Sequence, residues 1–476
     1  MTSHSVTHQL VRFAHELTID RVPEPILHKL KLHLLDALGC GWAASDTKTA
    51  SLARNAAELL GGYGSCHILG VRRQYSAPAA AFANAMLING LDHDDGVEID
   101  GKGLGHPGAT LVSAALAGLD QSPHPVEGQV FLSALAAGFE VNNRLIHALQ
   151  PSAERFAQVY GVAQHQAVGA AVVCGRILGL SSALLDQAVG MAATLSCLPS
   201  LHKYNWRTRP LVTLKDGVAP AAQAGVQAAL LAQLGFVGAR DAFDGSQGYW
   251  RMIGSDRFDP EALARDLGTY WYVGHGSLKR YPACRWLASA LECMEAIMRH
   301  TEWPADEISE IEVRTFARIA GDFMDTAPVD AADAQFSLPY TLAAVALRLF
   351  PGADWYSEEI MRDARLRDVM LKVRVIVDPV FERRMNSLER QPGARVTVRH
   401  RDGPVTAREL NTPSGSSARP MDEAEVINKA CANISGKVAG PREWAESILG
   451  PARWRGHLRS SVELAEPIPS KHTEHC

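Results

Sequence analysis

Between Ile88 and Ala115 the chain crowds five carboxylates and two histidines into a stretch flanked by small-residue, apolar runs. Asp92, His93, Asp94 and Asp95 form one cluster, and His106-Pro-Gly follows after a glycine-broken loop. Ionisable groups held this close between buried elements shift one another's pKa values, as acid–base chemistry near neutrality requires. The same residue types also describe a capped, solvated helix–helix loop. On a continuing helix Asp92 and Asp95, three apart, would share a face and hold a water or a substrate hydroxyl. Mutual repulsion would then keep one of them protonated. His106 precedes a helical run, so its ring would work beside free backbone N–H groups that attract anions; otherwise it caps its own loop.

Further along, Tyr160 and His165 stand just before or within an alanine-rich helix, where either would face a cleft. A satisfied core histidine is the alternative for His165. Lys215-Asp-Gly places a cation immediately before another helix, and an ammonium beside free amides makes a carboxylate or phosphate pocket. A lone lysine there would otherwise be surface decoration. In Ser277-Leu-Lys-Arg-Tyr-Pro-Ala-Cys-Arg, Lys279, Arg280 and Arg285, with Tyr281 among them, bring positive charge to a change in chain character, where ligand clefts form. A solvated basic patch is the bland reading of that cluster. Together these residues suit proton transfer on an anionic small molecule: Asp92, His106, His165 or Tyr160, Lys215 and Lys279 as catalytic candidates, and Asp95, Arg280, Tyr281 and Arg285 as substrate-binding ones.

The elements that must position them are mostly helical. Hydrophobic residues make up 47% of the 476, aromatics only 7%, and the formal charge is −5, which describes a large Ala/Leu/Val core without a nucleic-acid-binding stripe. No apolar run reaches membrane-span length and no leader pattern stands at the N-terminus, so a cytoplasmic protein is expected. The eight cysteines have no zinc-type spacing, which fits a reducing compartment. Amphipathic or alanine-rich periodicity predicts helices over 25–39, with Gly39 near the end, and over 78–91, 110–119, 127–149, 163–178, 182–194 and 221–234. Strand-like alternation begins at Ile308 and Leu371, and 394–410 reads as a hairpin turning at Asp402-Gly403. The expected fold is therefore mainly α: an all-helical domain (1–272), an inserted smaller α/β lid (273–412), and a linker with C-terminal helices that return to the helical domain (413–476). The last ten or so residues read as disordered.

Other chemistries find less support. No phosphate-binding glycine loop and no nucleophile elbow is present. A metal-dependent helical phosphohydrolase would use His67, the His93-Asp94 pair and a later acid. A non-catalytic binding scaffold would show ligand binding without turnover.

The segments taken in order resemble the MmgE/PrpD family of 2-methylcitrate dehydratases, cis-aconitate decarboxylases and iminodisuccinate epimerases. The resemblance runs through Lys31-Leu-His-Leu-Leu-Asp-Ala-Leu-Gly-Cys, Asn84-Ala-Met-Leu-Ile-Asn-Gly-Leu-Asp-His-Asp-Asp, His106-Pro, Ala137-Gly-Phe-Glu-Val-Asn-Asn-Arg-Leu, Lys215-Asp-Gly and Lys279-Arg-Tyr-Pro-Ala-Cys-Arg-Trp. It implies a helical domain with an α/β lid, a homodimer, no metal or organic cofactor, and a small carboxylate substrate. It also implies site roles for Asp92, His106, Lys215 and Lys279, and places the family's mid-chain histidine near Tyr160, with His165 five residues later. Gly96 stands where the decarboxylases carry a hydroxyl residue, and His-Pro-Gly-Ala-Thr replaces the dehydratases' His-Pro-Ser-Asp-Asn. The resemblance puts dehydration of a 2-methylcitrate-like hydroxy acid first, epimerisation of a dicarboxylate second, and decarboxylation of a cis-aconitate-like acid third.

Overall fold

The structure is a computed structural model that describes residues 5–99, 102–159, 163, 165–196, 208–387 and 390–464. It is mainly α. Among the helices described in the first half, those that build and surround the site are α1 (Glu24–Ala44), α2 (Ala77–Ile88), α3 (Pro107–Gln121), α4 (Gly128–Ala148), α5 (Gln166–Ile177), α6 (Ser182–Thr194) and α7 (Val218–Gln233). α5 packs on α3, α4 and α7, and α7 also packs on α2. The alanines and glycines on these faces let backbones approach closely. A side chain at Gly225 would put its Cβ 2.5 Å from the Ala167 carbonyl oxygen and 2.8 Å from the Ala171 nitrogen. Gly225→Val should therefore lower stability by about 1–3 kcal/mol through overpacking. An unchanged urea midpoint would show that α5 and α7 can separate at no cost.

Gly39 does not end its helix. α1 runs on to Ala44 because Gly39 and Gly41 sit under neighbours, with a Gly39 Cβ 3.4 Å from Ala430 Cα. α3 begins three residues before the expected Thr110, with Pro107 at its first position.

Two small sheets escape the sequence pattern. β1 (Tyr63–Ile68) and β2 (Val71–Tyr75) form a hairpin. β3 (Gly96–Ile99) lies antiparallel between β4 (Lys102–Leu104) and β5 (Gly276–Ser277), with Gly96 opposite Ser277. That second sheet bears directly on function, since it runs the segment carrying Lys279 back along the acidic loop.

The second half holds α8 (Ala288–Arg299) and α9 (Leu338–Ala346) with four strands, β6 (Ile308–Thr315), β7 (Val373–Val377), β8 (Ala394–His400) and β9 (Val405–Leu410). The strands order as β9-β8-β6-β7; β6 and β7 are parallel and the other pairs antiparallel. The 394–410 hairpin is as expected. α10 (Glu423–Ile434) then packs on α1, and a buried ion pair, Lys429 Nζ to Asp36 Oδ1 at 2.6 Å, joins them. The expected disorder of the last ten residues falls outside the described residues.

Candidate active site

α2 ends at Ile88, and Asn89 caps it, its N–H donating back to Ala85. The acidic run is therefore a loop and not a continuing helix. Asp92 takes a left-handed backbone, φ 50°, rare for a residue with a Cβ. Asp92 and Asp95 consequently do not share a helical face. They go to different partners.

Asp92, 2% exposed, is clamped by two ammonium groups: Lys215 Nζ lies 2.9 Å from Oδ1 and Lys279 Nζ 2.9 Å from Oδ2. Lys279 also donates to the Asp92 carbonyl at 2.8 Å, and Lys215 to Asn89 Oδ1 at 3.0 Å. Burial acts to raise this carboxyl's pKa, but the two lysines and His106 together hold it well below the usual range. No mutual repulsion protonates it. A carboxylate so pinned is a poor proton carrier and a strong anchor for cations.

His106 is the residue immediately before α3. Its Nδ1 lies 3.2 Å from Asp94 Oδ2, an ion-pair distance. Its Nε2 lies 3.7 Å from Asp216 Oδ2 and 4.0 Å from Asp92 Oδ1. Burial disfavours the charged ring and Asp94 favours it; with Asp216 adding to Asp94 against Lys279, the pKa ends above the ordinary histidine value. The charged ring is thus favoured more than in an ordinary histidine, which suits a proton donor.

Asp95, expected at the substrate, is occupied by the protein. Oδ2 meets His33 Nδ1 at 2.7 Å and Oδ1 accepts from the Gly108 N–H at 2.8 Å. It anchors the first turn of α3, and so the backbone that carries His106. His93 is turned away too: Nε2 donates to the Arg280 carbonyl at 3.1 Å, and its own carbonyl accepts from Lys429 at 2.6 Å. Burial first, then Lys429, push its pKa far down.

Lys279 and Arg280, adjacent in the chain, go to different partners. Lys279 enters the site. Arg280 reaches Glu295 on α8 at 2.9 Å, and the Tyr281 hydroxyl donates to the same carboxylate. These two expected substrate contacts are therefore engaged in holding the segment onto α8. Arg285 pairs with Glu98 of β3 at 2.5 Å and lies against Gly96, where a Cβ would stand 2.6 Å from Nη2.

His165 immediately precedes α5. It is 6% exposed, and neither ring nitrogen has a hydrogen-bond partner among the described residues. Burial alone pushes its pKa down to about 3, so the ring is neutral. Tyr160 lies outside the described residues. The Thr110 hydroxyl donates to Gln166 Oε1 at 2.6 Å and lies 3.4 Å from the Val218 carbonyl oxygen. The N-terminal turns of α3, α5 and α7 therefore meet, and their dipoles add positive potential.

Sequence reasoning missed several participants: Asn89, Asp216, the buried His33, and Phe336, whose ring centre lies 5.7 Å from Lys215 Nζ. His33 and Asp36, three apart within the buried part of their helix, were a readable signal. Asp216 was readable only as a neighbour of Lys215.

The alternative metal set of His67 and the His93-Asp94 pair does not converge. His67 pairs with Asp120 at 2.9 Å, near the C-terminal end of α3, and His106 stands at the other end, about 20 Å away at 1.5 Å per residue. Ligand atoms of Asp92, His106 and Asp216 do lie within 4.8 Å of one another. Both Asp92 oxygens, however, already face ammonium groups at 2.9 Å, so a dication there would meet two fixed positive charges. No helix among the described residues is long and apolar enough to cross a membrane.

Comparison with known proteins gives two matches that decide the family. The MmgE/PrpD N-terminal domain matches residues 8–261 and the MmgE/PrpD C-terminal domain matches residues 281–449. The chain belongs to the MmgE/PrpD family. Similar curated proteins include cis-aconitate decarboxylase of Homo sapiens, 25% identical over 91% of this chain and 89% of that protein. The cis-aconitate decarboxylase-like protein oryM of Aspergillus oryzae is 24% identical over 89% of each chain. Cis-aconitate decarboxylase of Aspergillus terreus is 22% identical over 89% of this chain and 88% of its own. This MmgE/PrpD member is accordingly an enzyme of lyase type. The boundary between its two family domains, 262–280, contains β5 and Lys279, so the segment joining the domains also supplies part of the site.

Proposed function

We propose that this enzyme is a cofactor-independent lyase that cleaves a small di- or tricarboxylate by forming and quenching a carbanion next to a carboxylate. The observation that carries the reading is the pair of buried lysines, fixed on one carboxylate beside a histidine stabilised as its cation. Lys215 and Lys279 would bind substrate carboxylates and stabilise the enolate-like charge as it develops, helped by the three helix starts. His106 would deliver a proton to carbon. His165, neutral and with open ring nitrogens, would be the second acid–base group, with Tyr160 in its neighbourhood.

Among outcomes, decarboxylation of a cis-aconitate-like acid now stands ahead of the dehydration favoured by the sequence. Loss of carbon dioxide leaves a carbanion that needs only a donor, which a held imidazolium is. The names of the relatives point the same way. Dehydration of a 2-methylcitrate-like acid is the second reading, favoured by neutral His165 as the base it requires. Incubation with each acid in D₂O, following carbon dioxide release and alkene absorbance, separates them. Neither product from a panel of polycarboxylates would end the lyase reading. Turnover that tracks a bound divalent ion, found by elemental analysis, would replace it with the metal-dependent class. The same proposal includes a cytoplasmic homodimer, with the α/β portion over 273–412 inserted as a lid and residues 413–476 returning to the helical domain.

A further inference from the structure

Lys215 and Asp216 are adjacent in the chain, yet Lys215 Nζ and Asp216 Oδ2 meet at 3.3 Å. Consecutive side chains diverge in helices and strands, so this contact needs an unusual backbone. The backbone supplies it: Asp216 adopts φ 63°, ψ −12°, and Gly217 follows at φ 69°, ψ 14°. A left-handed residue with a Cβ is uncommon and costs about 1–2 kcal/mol. Asp216 is nevertheless held there, 5% exposed, with its carboxylate directed toward the Nε2 edge of His106.

The other carboxylates around that ring are already committed. Asp94 takes the Nδ1 edge, and Asp92 has an ammonium on each oxygen. Asp95 serves His33 and the start of α3. Of the carboxylates near Nε2, Asp216 makes the looser contacts with its surroundings and the closer one with the ring, at 3.7 Å against 4.0 Å for Asp92.

We infer that Asp216 is the positioning residue for His106: from its left-handed turn it faces and aims the Nε2 edge, while Asp92 serves the lysines. This deepens the proposed function, but the geometry does not depend on which acid is cleaved. The charged groups that face His106 are Asp92 and Asp94 from the loop after α2, Asp216 from the turn before α7, and Lys279 from the segment after β5, with Lys215 paired to Asp92 and Asp216 behind them. Lys279 opposes protonation and the carboxylates favour it. Removing the Asp216 charge therefore shifts the balance toward neutral imidazole.

The test is an NMR titration of the whole enzyme labelled with ¹³C-histidine, with the His106 signal assigned by its loss in His106→Gln. Asp216→Asn and Asp216→Gly both tolerate a left-handed backbone, so neither should unfold the chain. In both, the His106 pKa should fall by roughly one unit. With a substrate in hand, kcat should fall at least about tenfold with KM nearly unchanged, and the His106-dependent limb of the pH profile should move to lower pH. A His106 titration unmoved in both variants overturns the inference. Failure of every polycarboxylate assay would end the proposed reaction and leave the titration result standing.

Discussion

His106→Gln is expected to lower kcat by about 10²–10⁴-fold, the usual contribution of one well-placed general acid, while the fold survives. Glutamine keeps a polar side chain of similar length at the start of α3, where Asp95 and His33, not His106, anchor the helix. The substrate's carboxylates would still find Lys215 and Lys279, so KM should change far less than kcat. That split distinguishes loss of a proton donor from loss of a binding group. The pH dependence follows from the raised His106 pKa. A group that must donate as its cation works below that pKa, so the wild-type rate should fall as pH rises through it, and the variant should lose that limb. Wild-type turnover by His106→Gln, measured at saturating substrate, would remove His106 from the mechanism.

Asp92→Asn is expected to damage stability as well as rate. Asparagine is nearly isosteric, yet it leaves Lys215 and Lys279, both 6% exposed, without their shared counter-charge. Breaking a buried ion pair by removing one partner costs about 3–5 kcal/mol. Asp216 lies 3.3 Å from Lys215 and would compensate in part, so the lower end is expected. The folded-state pKa of Asp92 is depressed, so its contribution is fully present above the ordinary carboxylate pKa and is lost as pH falls toward the depressed value. Denaturation at pH 7 should show the full difference between wild type and variant, and the gap should narrow in acid. Equal urea midpoints at pH 7 would mean that water, not Asp92, balances the two lysines. Activity should fall too, because ammonium groups released from their anchor no longer present fixed charge to the substrate.

Much of the helical scaffold was legible from periodicity, because long apolar-periodic runs leave little choice: residues 182–194 are a helix with the expected bounds. The 394–410 hairpin was legible for the same reason. Short strands were not. β3 spans four residues and β5 two, lengths at which no periodicity accumulates, and β5 exists because it pairs with β3 from about 180 residues further along the chain. Boundaries failed where packing overrode local punctuation, as at Gly39, which reads as a stop and is instead the close approach of α1 to α10.

By itself the sequence determined the chemical inventory: carboxylates and histidines at 92–106, a lysine at 215 and another at 279, in an order that resembles one family. Residue type and order are written in the chain, and so is the anionic character of what two lysines and a histidine would bind. Only the tertiary structure decided who faces whom. Lys279 meets Asp92 from 187 residues away because β3 and β5 align their segments. Asp95 turns to His33, Arg280 and Tyr281 turn to Glu295, and Asp216 turns inward to His106. Each of those directions follows from non-local contacts or from a single left-handed residue, Asp92 or Asp216. A change in φ at one position redirects a carboxylate by several ångströms, and no local pattern of residue types encodes that angle.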